Sequence, residues 1–295
     1  MLLDNVSVMP AFAFSLRRLR EGYTGSCIRI RRQSDSTESD IGFSSTPDSN
    51  GDYWVDEAAI NSFASGSNNA YVVKLYDQST NAAHSTQSST SKQALIKSGS
   101  TIYTKNGHPT LRFASRSYDT PRFSGASQAF TFFDVASVDV VTTGSSNFVL
   151  GADTATVNKG LYHEFGDSKY SLNVWNGSSY VKAYAGTGVS NNVMYIASSW
   201  HPSSGKYWSS INNYVGSAYT ISGNTAGELS AYRLGDFPWG SASLGQNGYR
   251  SEYILFKADI GQSDRDKVTV SQSIAYGITI KQPQSGGDML MMFGR

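Results

Sequence analysis

Hydrophobic positions along this chain recur mostly at every second residue, in short runs closed by clusters of Ser, Gly and Asn. That period belongs to strands with one buried face. Cys27-Ile28-Arg29-Ile30-Arg31 sets two isoleucines against two arginines, and Ala70–Tyr76 reads as a buried strand. Residues 33–40 (QSDSTESD) read as a polar turn or loop before a short strand at Ile41-Gly42-Phe43, and 85–92 as a Ser/Thr-rich loop. Further strands are predicted at 110–113, 130–141, 147–151, 161–165, 170–175, 180–184, 193–200, 206–211, 229–234 and 249–257. Asn176-Gly177, between Tyr170–Trp175 and Tyr180–Tyr184, predicts a hairpin because that dipeptide tolerates positive φ. Only two stretches carry helical spacing. One is 55–65, with Ala59, Ile60 and Phe63 on one side. The other is 263–276, with Ser263 as N-cap, Asp264 and Asp266 in the first turn and Gly277 at the C′ position. No internal repeat and no Pro-rich linker precedes residue 282, which predicts one domain over 1–280 and a tail over 281–295.

Composition narrows the class. Charged residues are 16% and aromatics 13% of 295 residues, with 18 Tyr and 28 Gly, a mixture suited to an all-β protein with many turns. The aromatic content argues against disorder. The 24 Lys and Arg against 23 Asp and Glu leave no basic excess for nucleic acid. Cys27 is the single cysteine, so neither an intrachain disulfide nor a Cys-based metal site is expected. Residues 1–10 (MLLDNVSVMP) lack the basic start of a signal peptide, and no run of ~18 apolar residues offers a membrane span. A surface built for work outside a cell, on a chain without an export signal, fits a virion protein made in the host cytoplasm and released by lysis.

Two resemblances sharpen this. Gly107-His108-Pro109-Thr110-Leu111-Arg112-Phe113 and Gly248–Phe256, followed by the Ser263–Gly277 helix, resemble successive elements of concanavalin A-like domains of the laminin-G type. They imply an all-β jelly-roll β-sandwich of two antiparallel sheets with two short helices. Ala13–Leu19, Tyr23-Thr24-Gly25, Ile28–Asp40, Leu75-Tyr76-Asp77-Gln78-Ser79, His84 and Gln87 resemble the start of arabinofuranosidase B catalytic domains of glycoside hydrolase family 54. They are still more similar to the arabinofuranosidase-like segments of bacteriophage virion proteins. The enzymes are secreted and disulfide-bonded, from which this chain departs.

The leading expectation is therefore a virion structural protein, a tail or capsid-decorating component held by other virion proteins and binding host-surface glycans. The alternatives are an arabinofuranosidase-like glycoside hydrolase and a free carbohydrate-binding module. A retaining glycosidase needs two carboxyls about 5–5.5 Å apart. The resemblance places Glu164 near the nucleophile region and Asp236 near the acid/base region; the simpler reading makes Glu164 a strand-edge surface carboxylate and Asp236 a turn residue. Glu252 is expected to accept structural hydrogen bonds, and Asp77, Asn81 and His84 to cap a turn rather than form a catalytic set. The arginines at 17, 18, 20, 29, 31 and 32 could gather round a phosphate, but Asp35, Glu38 and Asp40 favour local pairing. Four scattered histidines argue against zinc; no cofactor is expected, though Ca²⁺ on loop oxygens stays open. Among five tryptophans, Trp200 and Trp208 read as core and Trp239, in a Pro-Trp-Gly loop, as the sugar-stacking candidate. Met289, Leu290, Met291, Met292 and Phe293 form either an end that is frayed or tucked against the sandwich, or a plug for a partner chain or a second copy.

Overall fold

The computed structural model describes all residues except 115, 121–128, 142–145, 154–160, 176–177, 203–204, 221–230, 236–246 and 283–295. Its strands of four or more residues are, in chain order, β1 (Phe12–Ser15), β2 (Ile28–Arg32), β3 (Glu38–Ile41), β4 (Ala70–Leu75), β5 (Leu95–Ser98), β6 (Leu111–Ala114), β7 (Phe130–Val138), β8 (Ser146–Asp153), β9 (Leu161–Gly166), β10 (Lys169–Trp175), β11 (Tyr180–Gly188), β12 (Met194–His201), β13 (Lys206–Ile211), β14 (Ala231–Leu234) and β15 (Asn247–Phe256). The helices are α1 (Glu57–Phe63) and α2 (Gly261–Tyr276).

Every pairing among these strands is antiparallel. One layer runs β13–β12–β7–β15, with β1 and β6 sharing the far edge of β15. It continues through β6–β5–β4–β2–β3. The facing layer runs β14–β8–β9–β10–β11. Alternation decides what lies between them. Phe132 and Ala136 of β7, Tyr195 and Ala197 of β12, Phe165 of β9 and Leu172 of β10 share one buried cluster. The opposite side of β7 is covered too. Phe133 packs with Leu2, Leu3 and Val268, and Val135 with Trp54 and Tyr276, so α2 and the N-terminal residues close this outer face. The result is the expected all-β sandwich with two helices.

Local differences from expectation have physical causes. Residues 33–40 are not all loop: Glu38–Ile41 pairs with Ile28–Arg31 as an edge strand. Its polar face is held by the bidentate Arg29–Asp40 pair, both bonds 2.7 Å, in place of an apolar stripe. The 85–92 loop contains a two-residue strand and a single 3₁₀ turn. Helix α2 starts at Gly261, before Ser263, without a side-chain cap. Asp264 instead accepts from the Ser7 amide and hydroxyl, tying the N-terminus to α2. Gly277 does occupy the left-handed cap, with φ 61°.

Lys97 shows how much the fold relies on buried polar groups. Its side chain is 2% exposed, and Nζ donates to the carbonyls of Ala64 (2.8 Å), Gly66 (3.0 Å), Asn68 (3.2 Å) and Gly99. The ammonium thereby gathers the end of α1 and two turns around one point. Lys97→Met should destabilise the protein by about 2–3 kcal/mol in urea unfolding, because the buried carbonyls lose their donor together. An unchanged midpoint would show that those carbonyls find water instead.

Candidate active site

The outer face of β9, β10 and β11 carries polar side chains at every second position. His163 and the apolar Phe165, Leu172, Val174, Ala183 and Ala185 point to the sandwich interior. Tyr162 and Glu164, Ser171 and Asn173, and Lys182 and Tyr184 therefore point outward. Register places them in two rows across the sheet, Tyr162–Asn173–Lys182 and Glu164–Ser171–Tyr184. The tight turn joining β9 to β10 fixes that register: Asp167 and Ser168 both have positive φ, 50° and 56°, as a two-residue hairpin turn requires.

Glu164 is the centre of this face. It is 2% exposed on a strand flanked by β8 and β10, so it is not the strand-edge surface carboxylate of the simpler sequence reading. The Lys182 ammonium lies 2.5 Å from Oε1, and Ser171 Oγ donates to the same oxygen at 3.5 Å. Partial burial pulls the Lys182 pKa down, but its bond to Glu164 and that carboxylate's charge hold it above the usual value. Burial, reinforced by Glu164, pushes Tyr162 well above the ordinary phenol value. Tyr162 and Tyr180 meet edge to face, 4.9 Å between centroids. Asn173 is fully buried; its amide donates to Ser171 Oγ at 3.0 Å, and its Oδ1 is a buried acceptor without a partner. The Glu164 carboxylate is thus fixed and charge-paired within a patch of donors and aromatic rims. Ser171, Asn173 and Lys182 were missed from sequence, although their alternation against Leu172, Val174 and Ala183 was visible there.

The other candidates separate cleanly. Asp236, Trp239 and Met289–Phe293 lie outside the described residues. Leu234, two positions before Asp236, pairs with Leu150, which pairs with His163 beside Glu164. At Gly235, φ is +79°, and a Cβ would come within 2.6 Å of the Arg116 carbonyl, so the chain leaves β14 through a turn only glycine fits. Glu252 is structural as expected: it accepts from Ser15 Oγ (2.9 Å), Arg17 Nε (3.0 Å), Gln272 (2.9 Å) and Tyr276 (3.2 Å). Asp77 accepts from the amides of Ala13, Ser79 and Ala83 and from Ser79 Oγ, while Asn81 donates to Pro10 and Ala11 carbonyls. His84 Nδ1 accepts from the Asp77 amide. These three close a turn. The early arginines also disperse, Arg17 to Glu252 and Asp52, Arg29 to Asp40, Arg32 to Asp35, and Arg18 over Tyr53. Trp200 is buried as expected, on the outer face beneath Arg265, while its neighbour Trp208 is only half-buried. Among the described residues no group of three or more His, Cys, Asp or Glu could hold a metal ion, and no helix is long and apolar enough to cross a membrane.

The fold is similar to that of arabinofuranosidases. A family model for the catalytic domain of α-L-arabinofuranosidase B matches residues 6–116. A glycoside hydrolase family 54 α-L-arabinofuranosidase soaked with 4-nitrophenyl α-L-arabinofuranoside superposes with TM-score 0.66 at 16% identity, over 98% of this chain and 67% of that one. An arabinofuranosidase complexed with arabinofuranosyl-α-1,2-xylobiose gives 0.65 at 16% identity, over 97% and 66%. The chain therefore spans about two thirds of the length of these enzymes. Mouse laminin α1 domains LG4-5 match at TM-score 0.42 and 11% identity, over 54% of this chain and 46% of that one. No curated protein sequence matches. Nothing in these comparisons supports the virion reading, which rests on the sequence alone.

Proposed function

We propose that this protein hydrolyses arabinofuranosides, with Glu164 as nucleophile and Asp236 as acid/base. The observation that carries the reading is the buried, Lys182-paired Glu164 carboxylate on an outer face with its own hydrogen-bonding set. Such a face has no structural need for a carboxylate. Burying one there costs energy that only its pairing offsets.

In this reading Glu164 attacks the anomeric carbon as the glycosidic C–O bond breaks. The leaving oxygen takes the Asp236 proton, giving a glycosyl ester. Asp236 then deprotonates water, whose attack frees Glu164 and yields arabinose with retained configuration. Tyr162, Tyr180 and Asn173 surround the sugar, and neither metal nor cofactor is required. The first test is release of 4-nitrophenol from 4-nitrophenyl α-L-arabinofuranoside by the full chain. Turnover with retention, seen by proton NMR of the first-formed sugar, supports the assignment. No turnover of this substrate or of arabinoxylan by well-folded protein refutes it.

A further inference from the structure

We propose a second carbohydrate-binding site, on the face of the sandwich opposite Glu164, that grips a neutral glycan chain between Trp208 and the start of α2. Alternation settles the placement. Ser199 points inward, where its hydroxyl meets His163 of the facing layer at 2.7 Å, so its neighbour Trp200 points outward. His163 points inward from the other layer, so Glu164 points away on the far side. The two sites are separated by the whole core.

Trp200 and Trp208 are direct cross-strand partners on β12 and β13. Their rings are parallel within 6°, with centroids 5.9 Å apart. They border a groove with about 390 Å³ of water-accessible space, of the size that holds small ligands. Its other wall is polar, with Asn213, Asp259, Gln262, Arg265 and Lys281. Arg265 lies 4.5 Å above the Trp200 ring, bonds Asp259, and donates to Gln262 Oε1 at 3.1 Å. Its Nε is buried without a partner.

The half-buried Trp208 ring beside amide, carboxylate and guanidinium edges suits a sugar ring, which offers C–H groups to the aromatic face and hydroxyls to the edges. Arg265 and Asp259 neutralise each other and Lys281 adds one unbalanced charge to the lining, so ring and hydroxyl contacts rather than charge carry the binding of a neutral chain. Trp208 is only half-buried, although nothing in the core calls for a tryptophan there. The inference stands apart from the hydrolase reading, because the groove shares no residue with the Glu164 face.

The test is native electrophoresis of the full chain through gels containing arabinoxylan, with polygalacturonate as the charged control. Glu164→Gln is used in parallel so that turnover does not consume the polysaccharide. Arabinoxylan should retard both wild type and Glu164→Gln, and Trp208→Ala should weaken this retardation at least tenfold. Gln262→Leu, on the exposed start of α2, should weaken it severalfold and serves if Trp208→Ala does not fold. Retardation unchanged in Trp208→Ala or Gln262→Leu, absent in wild type, or stronger with polygalacturonate would each overturn the proposal. Hydrolysis without retardation rejects the groove alone. Trp208-dependent retardation without hydrolysis rejects only the Glu164 reading.

Discussion

Glu164→Gln should stay folded and lose on the order of a thousandfold or more in hydrolysis of 4-nitrophenyl α-L-arabinofuranoside. The amide has nearly the shape of the carboxylate and keeps an acceptor toward Lys182 and Ser171, whose contacts fix the side chain. Lys182 is 31% exposed, so its ammonium turns to water and Asp167 (3.8 Å) when the carboxylate charge disappears. Stability should therefore change far less than rate. The amide is a very poor nucleophile, and no glycosyl ester forms. Glu164→Gly with added azide gives the sharper result: azide entering the vacated space should restore turnover and yield a glycosyl azide of inverted configuration. A purely structural Glu164 would give the reverse, a lower unfolding midpoint with turnover largely intact and no response to azide.

Much of this architecture was legible because period-two alternation survives wherever one strand face is apolar. Residues 161–165, 170–175 and 206–211 match β9, β10 and β13 to within one residue at either end. β3 was hidden because an edge strand with Asp40 facing Arg29 stabilises itself by charge pairing and leaves no apolar stripe. Glu164 was visible as an acid at an outward position. Its burial was not, since that depends on what covers the outer face. The tryptophan pair shows the converse, with Trp200 buried as expected and Trp208 only half-buried. Bulky apolar residues in a strand pattern announce a covered face without saying which, and here the cover is Arg265 of α2, far away in sequence. Long-range partners are what alternation leaves out.

The sandwich interior should carry two pH dependences of opposite sign that nearly cancel until one partner is removed. Asp134 is fully buried on the inward side of β7, and its carboxylate lies 3.2 Å from Arg250 Nε, yet neither oxygen has a well-aligned donor. Burial outweighs the Arg250 charge and pushes the carboxyl from its ordinary 3.8 up to about 7. The folded state therefore holds this proton more tightly than the unfolded chain. Stability from Asp134 is fully present below about pH 4 and is lost as pH rises to 7. His163 is equally buried, its Nδ1 within 2.9 Å of Tyr170 Oη and its Nε2 without a partner. Burial pulls its pKa from 6.5 down to about 3, so its contribution is present above 6.5 and is lost as pH falls toward 3. Between about pH 4 and 6.5 the slopes oppose each other, each up to about 1.4 kcal/mol per pH unit. Removing one should expose the other. Relative to wild type, Asp134→Asn should lose stability steadily as pH falls from 6.5 to 4. His163→Gln should instead gain stability, relative to wild type, over the same fall. Urea unfolding of all three proteins at half-unit steps from pH 4 to 7.5 reads the differences directly, since every other titrating group cancels in the subtraction. Parallel curves would mean that Asp134 and His163 titrate alike in folded and unfolded chains, and that water reaches a core whose packing leaves them dry.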